Sequence, residues 1–225
     1  MKYFNIFVNR FYRKNPFFFA KLYRAFSHNK FLISHRNTLN LGNSLLKYCV
    51  FQVGGGSNNQ IIVKDSRLNT CCIKISGNNN LVLIHENCML DSVELHIEDD
   101  DNRIIIGESS QIYGPAHLAA IEGTVIKLGK GTLISRNVNI RTGDSHSILD
   151  AITKERINSS QSIDIKEHVW IGHNVIILKG SIIEPNTIVA AGSVVTAKKF
   201  PSNCIIGGNT AKIIKEGVNW DANRI

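Results

Sequence analysis

One histidine stands in a setting where a proton acceptor would be useful. His146 lies in the segment 141–147, RTGDSHS, at the start of a polar stretch that runs over residues 143–162. An imidazole with an ordinary pKa of about 6.5 can take the proton of a hydroxyl as that hydroxyl attacks an electrophile. Its second ring nitrogen then needs an acceptor, such as a backbone carbonyl or Asp144. We predict that His146 is a general base; the alternative is a loop histidine without a role.

A tryptophan follows soon after the polar stretch, in the segment 168–172, HVWIG. Trp170 precedes the aliphatic Ile171, so its indole is predicted to point away from the interior. An exposed indole is costly unless something covers it. A sugar ring, a cofactor arm or a neighbouring subunit could each supply that cover.

The element that must position both residues is a six-residue repeat. A helix would repeat every 3.6 residues and a strand every two, so neither explains this period. Triangular coils with three short strands each do explain it, and such coils bury their apolar row by stacking. The aliphatic row is Ile165, Ile171, Ile177, Ile183, Val189 and Val195. Small or β-branched residues follow four positions later, and Lys199 breaks this second rule: Val169, Val175, Ser181, Thr187 and Ser193.

A looser repeat precedes the strict one. The corresponding positions Asn59, Asn80, Asn102 and Thr124 are nearly evenly spaced, as expected for a coil of about 18 residues with a few loop residues added. Regular phase continues through residues 128–140 and stops at the excursion 143–162. We predict a basic, aromatic segment over 1–40, a β-helix domain over 41–215 and a tail over 216–225. The acidic residues 99–101 are interpreted as solvated corner residues rather than a cation site.

Charge is concentrated at the start of the chain. The net charge of the 225 residues is +8, yet residues 1–64 contain ten Lys or Arg and no Asp or Glu. Residues 1–36 hold 11 of the 15 Phe and Tyr. This segment is predicted to pack short helices against the open end of the solenoid, to lie on an anionic membrane surface, or to contact a polyanionic substrate. No nucleic-acid-binding motif is present.

The apolar runs and the cysteines of the sequence indicate the cellular compartment. No apolar run approaches the ~20 residues of a membrane span, and basic residues interrupt any signal-like stretch. The five cysteines include no CxxC pair, which favours reduced thiols and a cytoplasmic protein.

The GDSHS block, the spacing from His146 to Trp170 and the VWIG strand resemble the bacterial capsule O-acetyltransferases of the hexapeptide-repeat acyltransferase superfamily, in particular the polysialic acid O-acetyltransferases. The resemblance implies an all-β, left-handed parallel β-helix with a short helical N-terminal segment, assembled as a homotrimer with active sites between subunits. It also implies that His146 is the catalytic base and that Trp170 lines the active site.

The C-terminal segments 190–196, AAGSVVT, and 207–212, GGNTAK, resemble the same family. Relatives bind coenzyme A along these last coils, which makes acetyl-CoA the expected acyl donor. Two family positions differ here, since Thr210 replaces a Pro and Ala197 replaces a Lys. The resemblance assigns cofactor contacts to Gly172, Ala191, Thr196, Ala197 and Lys212.

We therefore expect acetyl transfer to a hydroxyl of a capsular or surface polysaccharide containing sialic acid, by direct attack and without an acyl-enzyme. N-acetylation of an amino sugar and a non-catalytic scaffold remain alternatives. A zinc site of the γ-class carbonic anhydrase type would need His168 and His173 with His146 or His117. Their spacing does not match that type, so no metal is expected. The location is predicted to be cytoplasmic, with peripheral membrane contact through residues 1–36.

Overall fold

The computed structural model describes residues 16–223, and these form one helix and a long parallel β-helix. The helix, α1, spans Pro16–Phe26. Each later coil passes through three strands, so the solenoid has three faces, numbered here in the order in which the chain crosses them. Face 1 contains eight parallel strands. They are β2 Thr38–Asn40, β5 Gln60–Val63, β8 Leu81–Ile84, β10 Arg103–Ile106, β12 Val125–Leu128, β15 Ile163–Ile165, β18 Ile182–Ile183 and β21 Lys199–Phe200.

Hydrogen bonds join faces 2 and 3 into one fifteen-stranded sheet, because β9 Met89–Ile97 and β11 Gln111–Ala120 bend around the corner between them. The other strands of face 2 are β3 Leu45–Lys47, β6 Arg67–Asn69, β13 Leu133–Ile134, β16 Trp170–Ile171, β19 Ile188–Val189, β22 Cys204–Gly207 and the antiparallel β23 Lys212–Glu216. The other strands of face 3 are β1 Lys30–Leu32, β4 Val50–Val53, β7 Cys72–Ile75, β14 Val138–Arg141, β17 Ile176–Leu178 and β20 Val194–Val195.

The six-residue rule is confirmed by the burial pattern. Every aliphatic anchor from Ile165 to Val195 is fully buried, and the small residues four positions later fill the corners. Lys199 is exposed on β21, and the neighbouring Phe200 enters the core in its place. The parallel β-helix predicted from the period is therefore the observed fold.

The corner where face 3 leads into face 1, called corner 3/1, contains a ladder of buried polar residues. The backbone NH of Asn80 donates to Asn59 Oδ1 at 3.0 Å, and that of Asn102 donates to Asn80 Oδ1 at 2.8 Å. The backbone NH of Thr124 continues the series to Asn102 Oδ1 at 2.9 Å. Each rung satisfies a buried backbone donor that a solenoid corner would otherwise leave unpaired.

The helix α1 covers the N-terminal end of the solenoid. Ala20 is buried, and Arg24 Nη1 donates to the carbonyl oxygens of Leu41 at 3.2 Å and Gly42 at 3.0 Å. This agrees with packing against the open coil; residues 1–15 of the predicted N-terminal segment lie outside the described residues. Strand pairing begins at Lys30, before residue 41, and the domain limits stay a prediction. Within 16–223, no helix has the length and apolarity needed to span a membrane.

Candidate active site

The polar excursion leaves the solenoid at corner 3/1, between β14 and β15. Its two ends meet where the backbone NH of Gln161 donates to the carbonyl of Thr142 at 2.9 Å. Thr142 is fully buried, and its Oγ1 accepts from the hydroxyl of Thr124 at 2.7 Å. The excursion is thus anchored on the last rung of the corner ladder.

Asn158 fixes the backbone around His146. Its Nδ2 donates to the carbonyl of His146 and to Asp144 Oδ2, both at 2.8 Å. Its Oδ1 accepts from the backbone NH of Ile148 at 2.8 Å and from Arg156 Nε at 3.1 Å. Asn158 is buried although its neighbours in the excursion are exposed. Asn158 was not predictable, because an Asn in a polar loop gives no signal of its own.

Asp144 does not hold the His146 ring. Lys179 Nζ forms a short ion pair with Asp144 Oδ2 and also donates to the carbonyl of Asn158 at 2.9 Å. Lys179 first, and Asn158 second, hold the pKa of Asp144 below its ordinary value. The carboxylate is therefore charged at neutral pH and used within the excursion. The His146 ring is exposed, and within one chain it forms no hydrogen bond among the described residues.

Trp170 points outward from β16 as predicted, with 40% of its surface exposed. Part of its cover comes from Trp220, which no sequence motif indicated. The ring of Trp220 lies 5.9 Å from the Trp170 ring and stacks on His168 at 4.3 Å. Trp220 Nε1 also donates to the carbonyl of His168 at 2.8 Å. The C-terminal segment therefore folds back over face 2.

The structure separates His146 from Trp170 within one chain. The excursion that carries His146 leaves from corner 3/1, whereas Trp170 lies on face 2. No ring contact joins the two side chains in the described part of the chain. An active site that uses both would need one residue from each of two chains.

The five residues assigned to the cofactor lie around the C-terminal end of face 3. A Cβ built on Gly172 would meet the backbone nitrogen of Ala191 at 2.8 Å, so these two residues stack closely at the corner between faces 2 and 3. At corner 3/1, a Cβ on Gly180 would lie 3.1 Å from Ala197 Cβ. Ala197 therefore stacks on Gly180, next to Lys179, and Thr196 directly follows the end of β20.

Lys212 lies apart from these four positions, at the start of β23 and beyond the last parallel coil. The preceding residue, Ala211, donates its backbone NH to the carbonyl of Val194 at 2.8 Å, which places Lys212 just beyond β20. Its side chain is exposed. This position allows a basic contact at the end of a ligand lying along face 3.

The zinc arrangement weighed from the sequence is not assembled. His168 is held by Trp220 and by Asn186, whose Oδ1 lies 2.9 Å from His168 Nδ1, and His173 is exposed. Among residues 16–223, neither belongs to a group of three metal-ligating side chains, and nor does His146.

Comparison with known proteins agrees with this fold and with the motifs. Residues 162–197 match the family model described as "Bacterial transferase hexapeptide (six repeats)". The chain is 32% identical to the structure of "the polySia specific acetyltransferase NeuO", with a TM-score of 0.75, covering 87% of this chain and 79% of that one. The polysialic acid O-acetyltransferase OatWY is 29% identical over 88% of this chain and 92% of its own, also with a TM-score of 0.75.

Two curated relatives match over shorter segments. Polysialic acid O-acetyltransferase of Escherichia coli O1:K1 is 39% identical over 42% of this chain and 31% of its own length. Galactoside O-acetyltransferase of Lactococcus lactis is 32% identical over 48% of this chain and 51% of its own. The chain thus matches about half or less of these relatives' lengths. The chain belongs to the hexapeptide-repeat acyltransferase superfamily, as its hexapeptide coils, the structural likeness and these matches together show.

Proposed function

We propose that this protein is an acetyl-CoA-dependent O-acetyltransferase that modifies a hydroxyl of a capsular or other surface polysaccharide. The observation that carries the proposal is the hydrogen-bond network of the excursion, which Asp144, Asn158 and Lys179 form. It holds the His146 backbone through Asn158, and through Lys179 it borders the corner where Gly180 stacks on Ala197. These contacts support the proposal, because the backbone of the proposed general base is held at the corner that also carries Ala197, one of the proposed cofactor contacts.

In the proposed reaction, His146 takes the hydroxyl proton as the sugar oxygen attacks the thioester carbonyl of acetyl-CoA. The new C–O ester bond forms, the C–S bond breaks, and the imidazolium returns its proton to the departing thiolate. No acyl-enzyme is required, because the hydroxyl attacks the thioester directly. Gly172, Ala191, Thr196, Ala197 and Lys212 would hold the cofactor along face 3.

The same proposal includes a homotrimer with active sites between subunits. Trp170 of one chain would meet His146 of the next, which accounts for their separation within a chain. The excursion also exposes four aliphatic residues that a neighbouring subunit would cover: Ile148, Leu149, Ile152, which is 91% exposed, and Ile157.

Complementation tests this arrangement. Chains with His146→Ala and chains with Trp170→Ala should each be inactive alone. Co-expressed, they should recover roughly a quarter of the wild-type activity, because random assembly of a cyclic oligomer creates intact pairs at that frequency. No recovery in mixed oligomers of confirmed composition would contradict a site shared between chains.

The acceptor is proposed to contain sialic acid, because the relatives named for polysialic acid resemble the chain in both sequence and fold. The test is transfer of label from acetyl-CoA to polysialic acid, to neutral galactans and to amino-sugar polymers. We expect label in polysialic acid that mild alkali releases, since esters cleave under conditions where amides persist. Label in an amino-sugar polymer that resists alkali would identify N-acetylation. Absence of both transfer and acetyl-CoA binding would favour a scaffold.

The protein is further proposed to work in the cytoplasm, with peripheral contact between residues 1–36 and the inner face of the membrane. In α1, Phe17, Leu22 and Phe26 are exposed, the last at 77%, next to the exposed Lys21. Exposed aromatic and basic side chains together are typical of segments that bind anionic lipid surfaces.

Sedimentation with vesicles tests the contact. The protein should pellet with vesicles containing anionic phosphatidylglycerol and much less with phosphatidylcholine alone. Phe17→Ser together with Phe26→Ser should lower the pelleted fraction, while the control Tyr113→Ser, which also removes an exposed aromatic, should leave it unchanged. Equal pelleting of all three proteins would rule out a role for these residues.

A further inference from the structure

A second group of reactive side chains lies on face 3, in coils that precede the excursion. Glu94 and His96 lie on β9, and His117 lies on β11. Within the described residues, one nitrogen or carboxylate oxygen from each of the three falls within 4.8 Å of the others. Alternate residues of a strand share one side, which aligns Glu94 with His96, and the strand register sets His117 beside Glu94.

An orphaned oxygen lies in the next coil. Asn139 pairs with His117 in the register between β14 and β11. Its Oδ1 is buried and has no hydrogen-bond partner among residues 16–223, which is rare for a buried amide oxygen. Asn139, His117 and Glu94 line the same cavity of about 330 Å³. An unsatisfied amide oxygen is therefore located in a cavity that an imidazole and a carboxylate also line.

The groups around the cluster act on two of its members, Glu94 and His117. Lys74 Nζ lies 2.9 Å from Glu94 Oε1, and this contact is the main reason that the pKa of Glu94 is below its ordinary value. Burial is the main cause of the lowered pKa of His117, with Glu94 acting in the opposite direction and Arg141, His96 and Lys74 adding to the decrease.

We propose that Glu94, His96 and His117 bind a divalent first-row transition-metal ion, with Asn139 Oδ1 as the fourth protein ligand. Imidazole nitrogens with carboxylate and amide oxygens suit ions such as Zn²⁺ or Co²⁺, whereas Ca²⁺ and Mg²⁺ prefer oxygen ligands alone. The ion would link three successive coils, through β9, β11 and β14. This site is independent of the proposed acetyl transfer.

Lys74 would compete with this metal ion, because its ammonium group donates a hydrogen bond to one carboxylate oxygen of Glu94. Removing that charge should free the carboxylate and reduce repulsion of the ion. Neighbouring substitutions should therefore have opposite effects: loss of a ligand weakens metal binding, and loss of Lys74 strengthens it.

The test uses the full chain, without an affinity tag and after chelator treatment, titrated with Zn²⁺ against a chromophoric chelator and with Co²⁺ by visible absorption. We expect one site per chain. His117→Ala and Glu94→Gln should each weaken Zn²⁺ binding at least tenfold, and Lys74→Met should strengthen it severalfold. His85→Ala is the matched control, because His85 also lies beside a carboxylate, 3.5 Å from Glu86, and it should bind as wild type does.

Thermal unfolding provides a second readout that does not depend on activity. Zn²⁺ should raise the melting temperature of wild type and of His85→Ala, but not that of Glu94→Gln, since a ligand stabilises only the state that binds it. If His117→Ala does not fold, His96→Gln takes its place. Equal Zn²⁺ affinity in wild type, Glu94→Gln and the histidine variant, or no Zn²⁺ binding by wild type, would overturn the proposal.

Discussion

The coils before and after the excursion are built by different rules. On face 1, Leu81 pairs with Arg103 in the next coil, whereas Asp164 pairs with Ile182, so a coil after the excursion is shorter than one before it. The longer coils place extra residues in their corners and satisfy corner 3/1 with the asparagine ladder. The shorter coils use small residues such as Ser181 at the same corner.

The outer surface of face 3 changes at the same point. Before the excursion it presents Lys74, Glu94 and His117, and after it Ile176, Leu178 and Val194. One continuous core therefore supports two kinds of surface. On this face the earlier coils display ionisable side chains, and the later coils display aliphatic ones. The excursion with His146 lies at the boundary.

The largest expected effect concerns the excursion, which belongs to neither set of coils. His146→Ala should lower turnover at least ~100-fold while leaving coenzyme A affinity near normal, because only proton removal is lost. Steady-state kinetics and a calorimetric titration measure the two quantities. His85→Ala serves as the control, and unchanged turnover in His146→Ala would remove this residue from the mechanism.

A smaller effect tests the difference between the corners. Asn80→Ala should destabilise the fold by about 2 kcal/mol, because it leaves the backbone NH of Asn102 and the carbonyl of Asp99 unpaired. Ser181→Ala, at the same corner in the later coils, should cost about 1 kcal/mol, since it removes a hydrogen bond from Ser181 Oγ to the carbonyl of Leu178. Chemical denaturation measures both, and equal losses would mean that the ladder contributes no more than an ordinary corner.

The smallest effect concerns pH. The pKa of Asp144 is lowered in the folded state, mainly by Lys179, so the Asp144–Lys179 interaction stabilises the excursion above the ordinary carboxyl pKa of 3.8. That contribution falls as pH decreases through the lowered folded pKa. Lys179→Met should move the Asp144 pKa upward, which NMR titration of the carboxyl carbon can follow. The screened, partly exposed pair makes any change in stability small. An unshifted pKa would contradict this account.

Much of the fold was predictable, because a strict period of six leaves few other structures possible. The break in that period also located the excursion and thus His146. Asn158 and Trp220 were not predictable, since one acts inside an irregular loop and the other returns from outside the repeat. The contacts of both depend on where the chain folds back, which no local pattern encodes.

The repeat also could not predict the group formed by Glu94, His96 and His117. The earlier repeat fits the start of β11, where Asp91 pairs with Tyr113 at the same spacing that separates Asn80 from Asn102. A register shift follows between Tyr113 and Ala116, so Glu94 pairs with His117, one position later than the repeat predicts. A one-residue error in register turns a side chain to the opposite side of the strand. The repeat alone would therefore have placed His117 inside the core.

The antiparallel β23 has a consequence for how long such a stack can grow. Parallel coils have no inherent last member, because each strand presents unpaired backbone groups to the next, and a bare edge can recruit another molecule. Reversal of the chain direction at β22 puts an exposed, charged strand at that edge of face 2. Such a strand opposes end-to-end stacking of chains, and we expect a chain shortened before Lys212 to self-associate more readily.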